Sequence, residues 1–458
     1  MNAALKMFQI VVCLAVVSGL AACSAGPEVQ FDYEANASLP AMLEEASAYP
    51  ETSFAVFSDP HIYDSSLGTQ GKAFETYLAE DRKLLRESAE ILGAAVEAIE
   101  NEKVSFVLVP GDLTKDGELV CHELAVTYLR QIEAGGKQVY VVPGNHDINN
   151  GYSARFTGDT AERVLNITPA QFVELYGDFG YKEALYRDTA SLSYVAEPQP
   201  GLWLLALDSC RYAENMANEK PVTDGKISPA TLAWIEDMLG KAALEKKAVI
   251  VMVHHGVVEH YVGQEKNFGD YLLDDYPEVS KLFATYNARL VFTGHYHAQD
   301  ITESRWENPD KFIFDIETGS LVTYSSPWRI VNIDAYQEAV IRTQHVESIP
   351  SHPDDFQEYA RTYAFSGIQG IATEAIMGYK VNRSEAEKLA GQVAQAFLAH
   401  YAGDEMLPAG QEPLQSSGLS LPGWVVVNFR KDLVIGLWHD LPPSDNNVTI
   451  DLRTGAWQ

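Results

Sequence analysis

Cysteine is too scarce in this chain to carry much chemistry: four are spread over 458 residues. Cys13 and Cys23 fall near the start, and Cys121 and Cys210 each stand without a second cysteine at the spacing of a metal knuckle or a redox pair. Thiolate-bound structural zinc and dithiol exchange are therefore excluded, and the last two read as small buried thiols. Positive charge is also short, with 33 Lys and Arg against 64 Asp and Glu, a formal net charge of −31 at pH 7. A surface so acidic repels a nucleic-acid polymer, whose phosphates are held by Lys and Arg, so no such partner is expected. A small anion is still within reach of a metal centre that dominates its local field. Internal repeats and low-complexity tracts are missing. The apolar run from Met7 to Leu20, broken by Gln9, Ser18 and Gly19, is too short to span a bilayer comfortably.

That run is preceded by Lys6 and followed by Leu20-Ala21-Ala22-Cys23, the layout of a signal peptide over residues 1–22. Small residues leading into a single cysteine resemble the bacterial lipobox. The resemblance implies that Cys23 is lipidated and becomes the mature N-terminus, and that the protein is exported and anchored to the bacterial cell envelope. Residues 23–50, which begin with Ser24, Gly26, Pro27 and Glu28, then form a tether. Membrane contact would run through the N-terminal lipid only.

Three short apolar runs each end in polar residues. Phe54-Ala55-Val56-Phe57 leads to Ser58-Asp59-Pro60-His61, Val104 to Val109 leads to Pro110-Gly111-Asp112, and Val139 to Val142 leads to Pro143-Gly144-Asn145-His146-Asp147. β-Branched runs stopped by Pro or Gly read as buried strands. Between them, Asp81 to Asn101 shows an apolar stripe through Leu84, Leu85, Ile91, Leu92, Ala95, Val96 and Ile99. Glu118 to Ile132 repeats apolar residues every fourth position and stops at Gly135-Gly136, so both segments are predicted helices. A βαβαβ order with right-handed crossovers makes the strands parallel. Asp59, His61, Asp112, Asn145 and His146 then converge on one sheet edge, where open α/β sheets bind ligands.

Further strands are predicted at 191–195, 202–207, 248–253, 289–293, 311–316 and 328–333, with the connection 148–190 overhanging the site. Two of them end in His254-His255-Gly256 and Gly294-His295-Tyr296-His297. Pro350 and Pro353 mark a linker, which divides an α/β domain over 51–346 from a C-terminal domain with helices over 347–458. In the latter, Ser384 and Glu387 have capping-box spacing, and Trp424 to Asn428 and Leu433 to Trp438 look strand-like.

In order, the strand ends read Asp59-x-His61, Gly111-Asp112, Gly144-Asn145-His146-Asp147, His254-His255 and Gly294-His295-Tyr296-His297. This set resembles the five blocks of the calcineurin-like metallophosphoesterase family, over residues from about 52 to 297. The resemblance implies an α/β four-layer αββα sandwich with a dinuclear metal site at the strand carboxyl ends, plus the smaller, mostly helical C-terminal domain. One metal would be held by Asp59, His61, Asp112 and His297, the second by Asp112, Asn145, His254 and His295. A carboxylate has two oxygens with which to bridge two cations, so Asp112 is the natural bridge. Mixed nitrogen and oxygen donors favour Mn or Fe, with Zn possible, as two divalent or trivalent ions.

The family pattern puts His146 over the phosphate as a catalytic acid or charge stabiliser, with Asp147 either orienting its ring or capping the next turn. His255 is expected to bond its own loop, and His260 is a candidate substrate contact. In-line attack by a hydroxide bridging the metals is the implied reaction. The whole layout is similar to bacterial secreted lipoprotein cyclic-nucleotide phosphodiesterases, which implies a small phosphodiester substrate, with 3′,5′-cyclic nucleotides foremost. A nucleotidase, a glycerophosphodiesterase or a broad phosphatase are the alternatives. A lipid-tethered non-catalytic binding protein is the remote rival.

Overall fold

Strand alternation decides the architecture. In the run Leu202 to Leu207, Leu202, Leu204 and Ala206 join one buried cluster while Trp203, Leu205 and Leu207 join another. The run Ala248 to Val253 divides in the same way, Ile250 and Met252 to one side and Val249, Val251 and Val253 to the other. A sheet apolar on both faces must be covered on both, and here a second sheet covers one face and helices the other. The computed structural model describes residues 31–34, 39–44, 47–79, 81–217, 219–306 and 311–458. The expected signal peptide, Cys23 and the start of the expected tether lie outside the described residues.

In chain order the strands are β1 (Thr52–Val56), β2 (Phe106–Val109), β3 (Gln138–Val141), a hairpin of β4 (Ala154–Thr157) and β5 (Thr160–Arg163), β6 (Tyr186–Arg187), β7 (Tyr194–Gln199), β8 (Leu202–Leu207), β9 (Ala248–Val253), β10 (Leu290–Thr293), β11 (Asp300–Arg305), β12 (Phe312–Glu317), β13 (Pro327–Ile333), β14 (Glu338–His345) and β15 (Asn447–Asp451). One sheet has the order β15-β14-β13-β1-β2-β3 and the other β11-β12-β10-β9-β8-β7-β6. β1, β2 and β3 run parallel, as the βαβαβ reading requires, and so do β8, β9, β10 and β12. Between the sheets Phe54 stacks on Phe106 at 4.7 Å and meets Phe292 edge-on at 5.3 Å. Each such side chain, fully buried, contributes roughly 1.5–3 kcal/mol.

Helices Ser88–Asn101 and Leu119–Ala134 share a core with the first sheet, and Pro229–Leu244 and Tyr276–Thr285 pack with the second. The result is the αββα sandwich. The first of these helices starts at Ser88 rather than Asp81, because the Asp81 carboxylate accepts from the Arg82 and Lys83 amides and holds that stretch as a loop.

Beyond the linker lie helices Phe356–Gly378, Arg383–Ala402 and Leu421–Leu437. The last corrects the strand-like reading of 424–428 and 433–438. Its β-branched residues obscured a helical start signal: Ser420 accepts from the Gly423 amide and Pro422 follows in the first turn. The middle helix is capped by Asn382 acting on Glu385, not by Ser384 and Glu387. The chain then returns to the first sheet, where β15 pairs antiparallel with β14, Ile450 opposite Ala339. The edge strand of that sheet thus comes from the far side of the linker. Among the described residues, no helix is long and apolar enough to cross a membrane.

Candidate metal centre

The turns that leave β1, β2 and β10 are tight enough to force unusual backbone. Asp59, His61, Asp112, His295 and His297 all have positive φ, between 36° and 74°. Non-glycine residues adopt this region at a cost of order 1–3 kcal/mol each, and such outliers gather where function needs a side chain aimed against local preference. Gly144 shows how closely the turns meet. A Cβ there would lie 2.1 Å from the Asp112 carboxylate, so only glycine lets the third strand end approach the second.

All seven residues expected as metal ligands are buried, and donor atoms of Asp59, His61, Asp112 and His297 fall within 4.8 Å of one another, as do those of Asp112, His254 and His295. The contacts inside the first group are between atoms that do not pair well by themselves. His61 Nε2 faces His297 Nε2 at 3.1 Å, His297 Nε2 lies 3.4 Å from Asp59 Oδ1, and that oxygen has no hydrogen-bond partner. A buried carboxylate oxygen without a donor, beside two imidazole nitrogens, is costly unless a cation sits among them. In the second group His254 Nε2 lies 3.3 Å from Asn145 Oδ1, and the ring is held by its Nδ1 donating to the Pro110 carbonyl at 2.7 Å. The donor sets therefore fit two metal ions.

Asp112 joins the groups through one oxygen. Its Oδ2 is 3.5 Å from His61 Nε2 and 3.5 Å from His254 Nε2, while Oδ1 accepts from the His146 amide at 2.9 Å. Oδ2 is thus the oxygen placed to be shared between two cations, while Oδ1 is held by backbone. Burial, reinforced by Lys83 for His61 and by neighbouring rings for His295, holds both imidazoles far below their ordinary pKa, the neutral form that ligates. For His254 burial is the largest influence and acts downward, but the Asp112 charge and hydrogen bond, the Asp59 charge and the Pro110 carbonyl together outweigh it and push the ring up to about 9.

His146 lines the cleft and is not drawn into either donor group; its Nδ1 lies 2.9 Å from Asp116 Oδ1 and 2.8 Å from the Lys115 carbonyl. Asp147 makes no hydrogen bond to the ring, so of the two roles open to it the orienting one is set aside. Its carboxylate accepts from the Leu113, Thr114 and Gly144 amides and the Thr114 hydroxyl, tying the second and third strand ends together. Asp116 takes the orienting position, supported by Lys115, which pairs with both Asp116 and Glu118 in full burial. Sequence reasoning missed Asp116 because Lys115-Asp116-Gly117 reads as a polar turn after the Gly111-Asp112 block.

His255 is committed at both nitrogens, to Ser209 Oγ at 2.7 Å and the Thr223 carbonyl at 2.9 Å. It bonds a neighbouring loop rather than its own. His260 is buried among Asp300, Asp315 and Glu317 and does not line the cleft, so it is no substrate contact here. Cys121 and Cys210 are free, the first buried and the second half-buried.

Residues 52–299 match the family model of the calcineurin-like phosphoesterases. The chain belongs to that family. No curated protein matches the chain. Solved structures similar to it include a dimetal phosphatase from Danio rerio, 16% identical, covering 65% of this chain and 97% of that one at a TM-score of 0.46. Another is the sulfate thiohydrolase SoxB of Thermus thermophilus in complex with glycerol, 13% identical, covering 70% of this chain and 60% of that one at 0.33. This calcineurin-like phosphoesterase is a dimetal hydrolase of phosphoric esters, with its buried Asp and His donors at the sheet edge. The cleft above them has a volume of about 1460 Å³ and is walled in part by the β4–β5 hairpin, from the connection expected to overhang the site.

Proposed function

We propose that the protein hydrolyses phosphodiesters, 3′,5′-cyclic nucleotides among them, in preference to phosphomonoesters. The observation that carries this is the cleft. At about 1460 Å³, bordered by Tyr77, Tyr152, Phe156, Tyr271 and Tyr379, it has room and aromatic surface for an organic group on each side of the phosphorus. Asp59, His61, Asp112 and His297 would hold one cation and Asp112, Asn145, His254 and His295 the other. Mn or Fe is favoured and Zn admissible by the donor set. Bound there, the cations would supply an activated water and neutralise charge on the phosphoryl oxygens. The residues do the rest. His146 stands at the cleft wall, held at Nδ1 by Asp116, with Nε2 left to donate to a leaving alkoxide.

The test compares kcat/KM for 3′,5′-cyclic AMP and a bis-aryl phosphate with that for an aryl monophosphate and AMP, all with Mn supplied. The diesters should lead. Monoesters ahead by tenfold, roughly 1.4 kcal/mol the other way, would replace this reading with a surface phosphatase. We propose further that the enzyme works outside the cytoplasm, tethered through lipid on Cys23, on the strength of Leu20-Ala21-Ala22-Cys23. Cys23→Ser should abolish labelled-palmitate incorporation in cells, and incorporation at the wild-type level would remove the anchor from the account.

A further inference from the structure

A second buried group of donors lies where the C-terminal helices meet the second sheet. Asp300 begins β11, three residues after His297, and its two oxygens face different ways. Oδ1 accepts from His260 Nδ1 at 2.7 Å and from the Thr302 hydroxyl at 3.0 Å. Oδ2 has no hydrogen-bond partner and lies 3.9 Å from His400 Nδ1. The same His400 nitrogen contacts Glu405 Oε1, and Glu405 Oε2 is again without a partner. Asp300 and His400 are 0% exposed and Glu405 7%. Donor atoms of the three converge within 4.8 Å.

Charge in this region does not balance. His260 is faced by Asp300, Asp315 and Glu317, with Nε2 at 3.3 Å from Asp315 and 3.5 Å from Glu317. Half-buried Asp440 and buried Asp445 adjoin from the C-terminal side, and among the described residues Arg329 is a cation opposite them, its guanidinium spent on the carbonyls of Asp300, Glu317 and Asp445. Burial first, then Glu405 and Asp300, push the Asp440 carboxyl up to about 7, and burial with the same neighbours drives Asp445 up as well. Buried carboxylates in excess of cations are stable only if protonated or if a further positive charge is bound. An oxygen aimed into the group with no donor favours the second.

We propose that Asp300, His400 and Glu405 form a cation site separate from the dinuclear centre, taking one zinc-like divalent ion that fastens the C-terminal helices to the catalytic sheet. One imidazole with carboxylate oxygens is a donor set for zinc or a similar transition-metal ion rather than for calcium. His260 would serve as the outer partner that orients Asp300, in the way ligating carboxylates are themselves hydrogen-bonded. The polypeptide is shaped for closeness here. After helix Arg383–Ala402 the chain turns at Gly403, φ 75°, where a Cβ would lie 2.5 Å from the Gln299 carbonyl oxygen. That contact falls between His297 and Asp300, so an ion at Asp300 would also brace the loop that carries His295 and His297.

The test uses the full chain in detergent. Crystals of the wild-type protein grown with Zn²⁺ should show an anomalous-difference peak about 2.0–2.2 Å from His400 Nδ1 and from oxygens of Asp300 and Glu405. No peak there, with the dinuclear centre filled, would leave a simple buried contact between the His400 ring and Glu405 and overturn the proposal. In solution, Zn²⁺ should raise the Tm of Asp112→Asn, whose dinuclear centre is disabled, and should fail to do so once Glu405→Gln is added. An equal rise in both proteins would also overturn it.

Discussion

Asp112→Asn should lower the occupancy of both metals of the dinuclear centre together and cut kcat/KM by on the order of 10⁴-fold, about 5.5 kcal/mol of transition-state stabilisation. The reason is the single oxygen Oδ2, which stands 3.5 Å from a ring nitrogen of each donor group. An amide there keeps the shape and can still accept the His146 amide at the Oδ1 position, yet it removes the negative charge that both cations would share. Asn145 is different. Its Oδ1 faces His254 Nε2 at 3.3 Å and it belongs to the second expected ligand set only, so Asn145→Ala should deplete chiefly one metal. Elemental analysis after dialysis against metal-free buffer separates the cases. Loss of the same single metal in both variants would mean that Asp112 does not bridge.

How much of this was legible beforehand follows from what kind of signal each part leaves. Strand ends were readable because buried parallel strands are written as apolar runs, and a polar residue straight after such a run has few reasons to be there. Asp59, His61, Asp112, Asn145, His254, His295 and His297 were singled out in that way, all seven are buried, and the two parallel crossovers that gather the first of them follow from chain order. Partnerships were not readable, since they depend on backbone that local sequence does not announce. The positive φ of Asp59, His61 and Asp112 aims their side chains in directions no propensity would suggest. The same holds for Asp147, which neighbours His146 in sequence but turns to the Leu113 and Thr114 amides, leaving Asp116 to meet the ring. In the C-terminal region the Val425-Val426-Val427 run suggested a strand, but it packs at helical spacing, with Val427 and Val434 buried a heptad apart. Tyr296 completes the picture: set between two candidate ligands, it packs with Tyr261, Ile368 and Tyr401 and so joins the metal loop to helices beyond the linker.

His146→Ala should keep its metals and lose activity by roughly 10²–10⁴-fold, the range for a positioned general acid or charge stabiliser. Neither donor group includes His146, and its ring meets His61 edge-on at 4.9 Å, near the centre without joining it. Burial by itself would lower the pKa of this imidazole, but the Asp112 charge, and after it the hydrogen bond that the ring donates to Asp116, together outweigh that and raise it above its ordinary value. A raised value favours the protonated ring, which suits donation to an alkoxide, and activity should fall as pH rises through it. Asp116→Asn supplies the control. Losing that carboxylate should move the alkaline limb of the kcat profile to lower pH and reduce kcat by about tenfold, with KM and metal content unchanged. A purely structural role for Asp116 would leave the limb where it is. Metal loss in His146→Ala would make it a ligand, and a substrate with an aryl leaving group, which needs no proton, should recover most of the activity of that variant if His146 is the acid.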